Sequence, residues 1–83
     1  MNLCYTKSFR RDYKVLCRRK WDIGRLNSLI DHLALTDNSH TLKGKFFGKR
    51  ECHVGFDWLV IYEISGDVMK LLRTGTHSEV LGD

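Results

Sequence analysis

The stretch that decides the fold is Trp58-Leu59-Val60-Ile61-Tyr62-Glu63-Ile64-Ser65-Gly66-Asp67-Val68-Met69-Lys70-Leu71-Leu72-Arg73-Thr74. Residues 58–64 are apolar at both alternating sets of positions, Leu59 and Ile61 against Val60, Tyr62 and Ile64. A strand that is apolar on both faces belongs in the middle of a sheet. The tight Ser65-Gly66-Asp67 connection then sends the chain back antiparallel, which predicts a last strand over residues 68–74. Working backwards, a strand is expected near residues 49–54, a turn at Gly48, and a further strand-like stretch over residues 41–46.

Before the loop chemistry of Thr36-Asp37-Asn38-Ser39 the period changes. Residues 2–5 form a short candidate strand. Thr6 or Ser8 caps a helix in which Phe9, Tyr13, Leu16 and Cys17 fall at i, i+4, i+7 and i+8, one apolar stripe. Arg10, Arg11, Lys14, Arg18 and Lys20 occupy the opposite faces. Asp22 caps a second helix, with Leu26, Leu29, Ile30 and Leu33 on its inner side and His32 beside that stripe as a structural residue. The expectation is an α+β domain spanning residues 1–83. Two N-terminal antiparallel helices cover one face of a mainly antiparallel sheet of four to five strands, and the other face is left for function.

With 83 residues there is room for one modest core. No apolar run approaches the length needed to cross a bilayer, and Lys7, Arg10 and Arg11 are not followed by the apolar stretch of a secretory signal. The cytoplasm is therefore the expected location. Cys4, Cys17 and Cys52 are an odd set without C-x-x-C spacing, which argues against a disulfide framework or a zinc ribbon; they read as small apolar residues. Charge is placed unevenly. Residues 1–25 hold eight Lys and Arg against Asp12 and Asp22, while the remainder holds six against eight acidic residues. Such a concentrated basic surface suits phosphates or an acidic protein segment.

Of four histidines, His40, His53 and His77 lie in the strand half with Asp57, Arg73 and several aromatic residues. Cleaving RNA without a metal requires a base for the 2′-OH proton, an acid for the departing 5′ oxygen and a cation for the charge of the transition state. Histidine as a residue type suits the first two tasks, and arginine, with its planar charged fork, the third. A carboxylate beside an imidazole orients it, and Asp57 stands four residues after His53. Metal ligation by the same residues is the weaker reading, because no ligand spacing of a structural zinc site is present. In Arg73-Thr74-Gly75-Thr76-His77, Gly75 permits close approach of a ligand to the backbone. Phe56, Trp58 and Tyr62 offer stacking surfaces for splayed bases, although Trp58 and Tyr62 sit where a central strand puts core residues.

Four blocks, H-T-L-K-G-K at 40–45, R-E-C-H-V-G-F-D-W at 50–58, L-V-I-Y at 59–62 and L-L-R-T-G-T-H-S-E-V-L-G at 71–82, occur in this order after an opening Y-T-K-S-F-R-R-D-Y-K. In this the sequence resembles the YafQ-like toxins of the RelE/ParE superfamily over nearly its whole length. The resemblance implies a RelE-like fold and an endoribonuclease that cuts mRNA in the ribosomal A site, without metal or other cofactor, by attack of the 2′-OH on the adjacent phosphate. It places the catalytic set on His40, His53, Asp57 and His77, with Arg73 as the phosphate-binding cation and Trp58 as a nearby support. In that assignment His77 is the general acid, and Asp57 with His53 or His40 supplies the base and orienting groups.

The partners implied are a cognate antitoxin protein, mRNA and the 70S ribosome, with no membrane and no DNA contact by the toxin alone. The rRNA and mRNA contacts are expected from Arg10, Arg11, Lys14, Arg18, Lys20, Lys43, Lys45, Arg50 and Trp58. Thr41 and Phe56 stand where family members carry proline, and Leu81 where a relative has Phe. Two rival classes share the fold or the surface. One is a ParE-like toxin that inhibits DNA gyrase by binding; the other is an RNA-binding module without turnover. Several titratable groups in one cleft favour the nuclease.

Overall fold

The computed structural model describes residues 2–36 and 49–81. Seven elements follow in order: β1 (Asn2–Tyr5), α1 (Lys7–Arg18), α2 (Ile23–Thr36), β2 (Lys49–Gly55), β3 (Trp58–Ser65), β4 (Val68–Gly75) and α3 (His77–Leu81). The sheet order is β1-β4-β3-β2. The 58–64 run lies inside the sheet as its double-sided apolar pattern requires, and β2-β3 and β3-β4 are antiparallel. β1 is parallel to β4, with Asn2 opposite Val68 and Tyr5 opposite Leu71. The expected strand at 41–46, together with His40, Lys43 and Lys45, lies outside the described residues.

Thr6 caps α1, accepting from the Phe9 N–H at 3.2 Å, and its hydroxyl donates to the Leu71 carbonyl at 2.7 Å, which ties the helix start to β4. Asp22 caps α2 by accepting from the Arg25 N–H at 3.1 Å. Between them Lys20 adopts φ 60°, and the Trp21 N–H reaches back to the Leu16 carbonyl at 3.2 Å, a left-handed helix stop that turns the chain sharply. Asn27 of α2 then donates to the Tyr13 hydroxyl of α1 at 3.2 Å.

Phe9, Leu16, Leu26 and Ile30 from the helices pack on Val54, Trp58, Val60, Tyr62, Met69 and Leu71 of the sheet. Truncating one of these, as in Leu16→Ala, costs about 2–5 kcal/mol through lost burial and the cavity left behind. Cys17, read as part of the apolar stripe, is exposed because the buried stripe of α1 is narrower and ends at Leu16; Cys4, on β1, is exposed as well.

Two register slips shape the far side. Tyr62 pairs with Leu71 and Ile61 with Arg73, leaving Leu72 as an extra residue, so the inward positions on β4 change from Met69 and Leu71 to Thr74. On β2, His53 pairs with Leu59 and Gly55 with Trp58, leaving Val54 between them, and Phe56-Asp57 close the hairpin. Leu59 is fully buried yet lies outside the main cluster, on the side from which α3 contacts β3 and β4. α3 lies beyond residue 74, where the apolar pattern predicts no further element.

Candidate active site

His77 is the first residue of α3, a helix of five residues, too short to persist on propensity alone. Its start is made by a reciprocal capping box. The Thr76 hydroxyl accepts from the Glu79 N–H at 3.2 Å, and Glu79 Oε1 accepts from the Thr76 N–H at 3.2 Å. The T-H-S-E string at 76–79 carries that signal in sequence. Gly75, with φ 150°, precedes it, and a side chain there would press within 3.4 Å of Glu79 and Val80. The expected close approach at Gly75 is therefore made by the protein's own helix.

Asp57 in the β2-β3 turn is aimed at this helix start. Its Oδ1 accepts from the His77 backbone N–H at 3.2 Å and lies 2.7 Å from His77 Nδ1. The hydrogen bond from His77 holds the Asp57 carboxyl below its ordinary range, so it stays ionised and fixes the Nδ1 proton of His77. The other ring nitrogen, His77 Nε2, faces His53 Nε2 at 3.3 Å, with the ring planes 38° apart. Two nitrogens so close form a hydrogen bond only if one donates and the other accepts. Asp57, His77 and His53 form a continuous polar chain open to solvent, with 42% of the His77 side chain exposed.

Arg73 is brought to the same side, but its guanidinium is already engaged. Nε is 2.6 Å and Nη2 3.3 Å from the Asp12 carboxylate of α1, and Nη2 also donates to the Glu79 carbonyl at 3.3 Å. Asp12 holds the guanidinium still more firmly protonated. Arg73 lines a groove with Thr6, Lys49, Ile61, Leu72 and Leu81. In that groove it ties α1, β4 and α3 together and shares its charge with Asp12.

Among the expected nucleic-acid contacts, Arg10, Arg11, Lys14, Arg18 and Lys20 are exposed, and Arg50 is half-buried with an interaction of its own. Trp58 is a correction. It is 7% exposed, packs edge-on against Trp21 at 5.1 Å, and gives its indole N–H to Thr74 Oγ1 at 2.9 Å, so it is not available to stack on a base. It supports the hairpin that carries Asp57. Tyr62 is equally buried. Of the three aromatic residues offered for stacking, only Phe56, next to Asp57, is fully exposed.

Asp12, Arg19, Thr74 and Glu79 were not singled out from the sequence. Asp12 was legible only as the lone acid in a cationic helix, and Glu79 as the fourth residue of the capping string.

Among the described residues no group of three or more His, Cys, Asp or Glu is arranged to hold a metal ion. The two Nε2 atoms of His53 and His77 nevertheless have about the 3.3–3.4 Å separation of two nitrogens on one tetrahedral zinc.

A curated relative, the mRNA interferase toxin YafQ of Escherichia coli K12, is 29% identical, the match covering 94% of this chain and 92% of the relative. The crystal structure of the E. coli DinJ-YafQ toxin-antitoxin complex matches with TM-score 0.83 at 28% identity over 98% of this chain and 97% of the other. A copper-bound mutant toxin from Helicobacter pylori matches with TM-score 0.82 at 35% identity over 96% and 98%. These likenesses agree with the strand order and helix placement described above. Residues 1–82 match the family described as bacterial toxin of type II toxin-antitoxin system, YafQ, and the chain belongs to that family.

Proposed function

We propose that the chain is one toxin domain with mRNA interferase activity, an endoribonuclease that cleaves message in the ribosomal A site without a resident metal. The observation that carries this reading is the Asp57-His77-His53 chain, with contacts of 2.7 and 3.3 Å. Asp57 holds the His77 ring by Nδ1 and so fixes which way its Nε2 faces, which suits His77 as the general acid. His53, facing it, is the base, with His40 the alternative for that role. When a phosphodiester enters, the two rings part to admit it. The 2′-OH proton passes to His53 while the 2′ oxygen bonds to phosphorus. The phosphorus to 5′-oxygen bond breaks and the His77 Nε2 proton moves to the leaving oxygen. A cyclic 2′,3′-phosphate and a 5′-hydroxyl result. Arg73, although it shares its charge with Asp12, is the cation that offsets the charge developing on phosphate, and Phe56 stacks on a neighbouring base.

The exposed cations of α1 serve rRNA phosphates, and an antitoxin, as DinJ accompanies YafQ in E. coli, covers part of the same surface in the cytoplasm. A divalent transition metal, if held by His53 and His77, would take up the imidazole nitrogens that the acid and base steps need and so would inhibit cleavage. Added Zn²⁺ should stop cleavage and a chelator restore it; stimulation by Zn²⁺ would refute this.

Primer-extension mapping of mRNA ends after brief induction, with and without translation, tests the main reading. Codon-phased cuts that vanish in His77→Ala, while ribosome binding persists, support it. Growth arrest that survives His77→Ala, with no cuts, redirects the search to gyrase inhibition.

A further inference from the structure

We propose that Arg19, at the C-cap of α1, is a positioning residue for the cleavage reaction: paired with Glu79, it latches α3 and so fixes where the His77 imidazole points. This rests on the nuclease reading above and adds a residue outside the set that meets the phosphate.

Arg19 grips the Glu79 carboxylate with both arms of its guanidinium, Nη1 to Oε1 at 2.9 Å and Nη2 to Oε2 at 2.7 Å, sixty residues apart in sequence. A fork-to-fork pair fixes direction as well as distance, which a lysine cannot do. The same Oε1 closes the capping box on Thr76, so one carboxylate both starts the helix and fastens it to the body. Arg19 and Thr76 together hold the Glu79 carboxyl down at about 2, and it remains an anion under all ordinary conditions.

Arg19 is itself held. Lys20 turns the chain immediately after it at φ 60°, the Arg19 Cζ sits 5.8 Å from the centroid of the Trp21 ring, and Trp21 packs edge-on against Trp58, the residue that follows Asp57. The latch therefore joins α3 to the base of the hairpin that carries Asp57. His77 lies two residues before Glu79, with both its backbone N–H and its Nδ1 on one carboxylate oxygen. A shift of α3 by about 1 Å breaks that geometry, and misplacement on this scale is costly to rate. The Arg73 bond to the Glu79 carbonyl is a second tie, so losing Arg19 loosens the helix without releasing it.

Arg18 and Lys20, the exposed neighbours of Arg19, are assigned to phosphates, and kinetics separates the two roles. Cleavage of message on programmed ribosomes is measured for Arg19→Ala, Arg19→Lys, Glu79→Gln and the Arg19→Ala/Glu79→Gln double variant. The His77 Nδ1 proton resonance of each free protein is followed by NMR. Arg19→Ala is expected to lower kcat about five- to tenfold with KM unchanged and to weaken the His77 resonance. Arg19→Lys should fall between it and the parent, and the double variant should be no worse than the poorer single one.

A raised KM with kcat and the resonance intact would overturn the proposal and make Arg19 one more phosphate contact. Unchanged kinetics and an unchanged resonance would show the latch to be idle. Glu79→Gln can keep the oxygen that caps Thr76 but puts an amide NH₂ where Oε2 accepts from Arg19 Nη2, so it breaks the latch without touching Arg19 and tests it even if Arg19→Ala folds poorly. Because the resonance is read without turnover, a parent protein that cleaves nothing would sink the nuclease reading while leaving the test of the latch intact.

Discussion

Replacing Asp57 by Asn and by Ala separates what its charge does from what its geometry does. Both His77 bonds, from the backbone N–H at 3.2 Å and to Nδ1 at 2.7 Å, fall on the same oxygen, Oδ1. An asparagine carbonyl oxygen in that place accepts both, so Asp57→Asn preserves the helix start and the His77 tautomer while discarding the negative charge. A charge-assisted hydrogen bond is about twice as strong as a neutral one. What is lost is the charge assistance to the hydrogen bond that orients His77, and Asp57→Asn should slow single-turnover cleavage by about 10- to 100-fold. Asp57→Ala removes the acceptor as well; it leaves the ring unoriented, and the loss should approach the roughly 10²–10⁴-fold span of positioned acid-base catalysis. The assay is single-turnover cleavage of a defined message on stalled ribosomes, with binding measured separately. Equal losses in the two variants would mean that the acceptor's geometry adds nothing beyond its charge. An Asp57→Asn protein as fast as the parent would refute the polar chain as the catalytic device.

Thr74 is buried and its hydroxyl both accepts from the Trp58 indole and donates to the Leu59 carbonyl. Thr74→Val keeps the shape and strands the indole N–H, at about 1–3 kcal/mol; calorimetry should show a midpoint lowered by roughly 5–20 °C, and a Thr74→Ser variant less stable than Thr74→Val would contradict this account. Phe56→Ala removes a fully exposed ring beside Asp57, so stability should hold while KM rises roughly 5- to 100-fold, the value of about 1–3 kcal/mol for one stacked base; an unchanged KM would remove Phe56 from the RNA path. Glu79 titrates at about 2 in the fold against an ordinary 4.5. A carboxyl depressed by folding stabilises fully above its ordinary value and loses that contribution as pH falls towards the folded one. Thermal midpoints should therefore drop between about pH 4.5 and 2, and drop less in Glu79→Gln; parallel curves for the two proteins would show that the latch does not contribute to stability.

The chain itself determined the first two helices, the four described strands and which strand is interior, but not α3. Those follow from local rules: a run apolar on both faces has nowhere to sit but inside a sheet, and a stripe at helical spacing backed by cations has one buried side. Thr6 and Asp22 as caps, and Gly66 with φ 58° in the β3-β4 turn, were legible for the same reason. His53, Asp57 and His77 could be named as candidates because their residue types carry the chemistry, although sequence spacing alone did not make them neighbours.

Only the tertiary structure decided that they meet. The slip at Val54 re-aims β2, the hairpin presents Asp57, and α3 delivers His77 from twenty residues away. It also decided the fate of identical residue types. Arg19, exposed like its neighbours Arg18 and Lys20, is paired with Glu79, and the half-buried Arg73 with Asp12; Trp58 is sealed into the core while Phe56 stands clear of it. The physical reason is that charge pairing and burial depend on distances between segments some sixty residues apart. No local pattern encodes those distances, because they are set by how the helices and the sheet pack together.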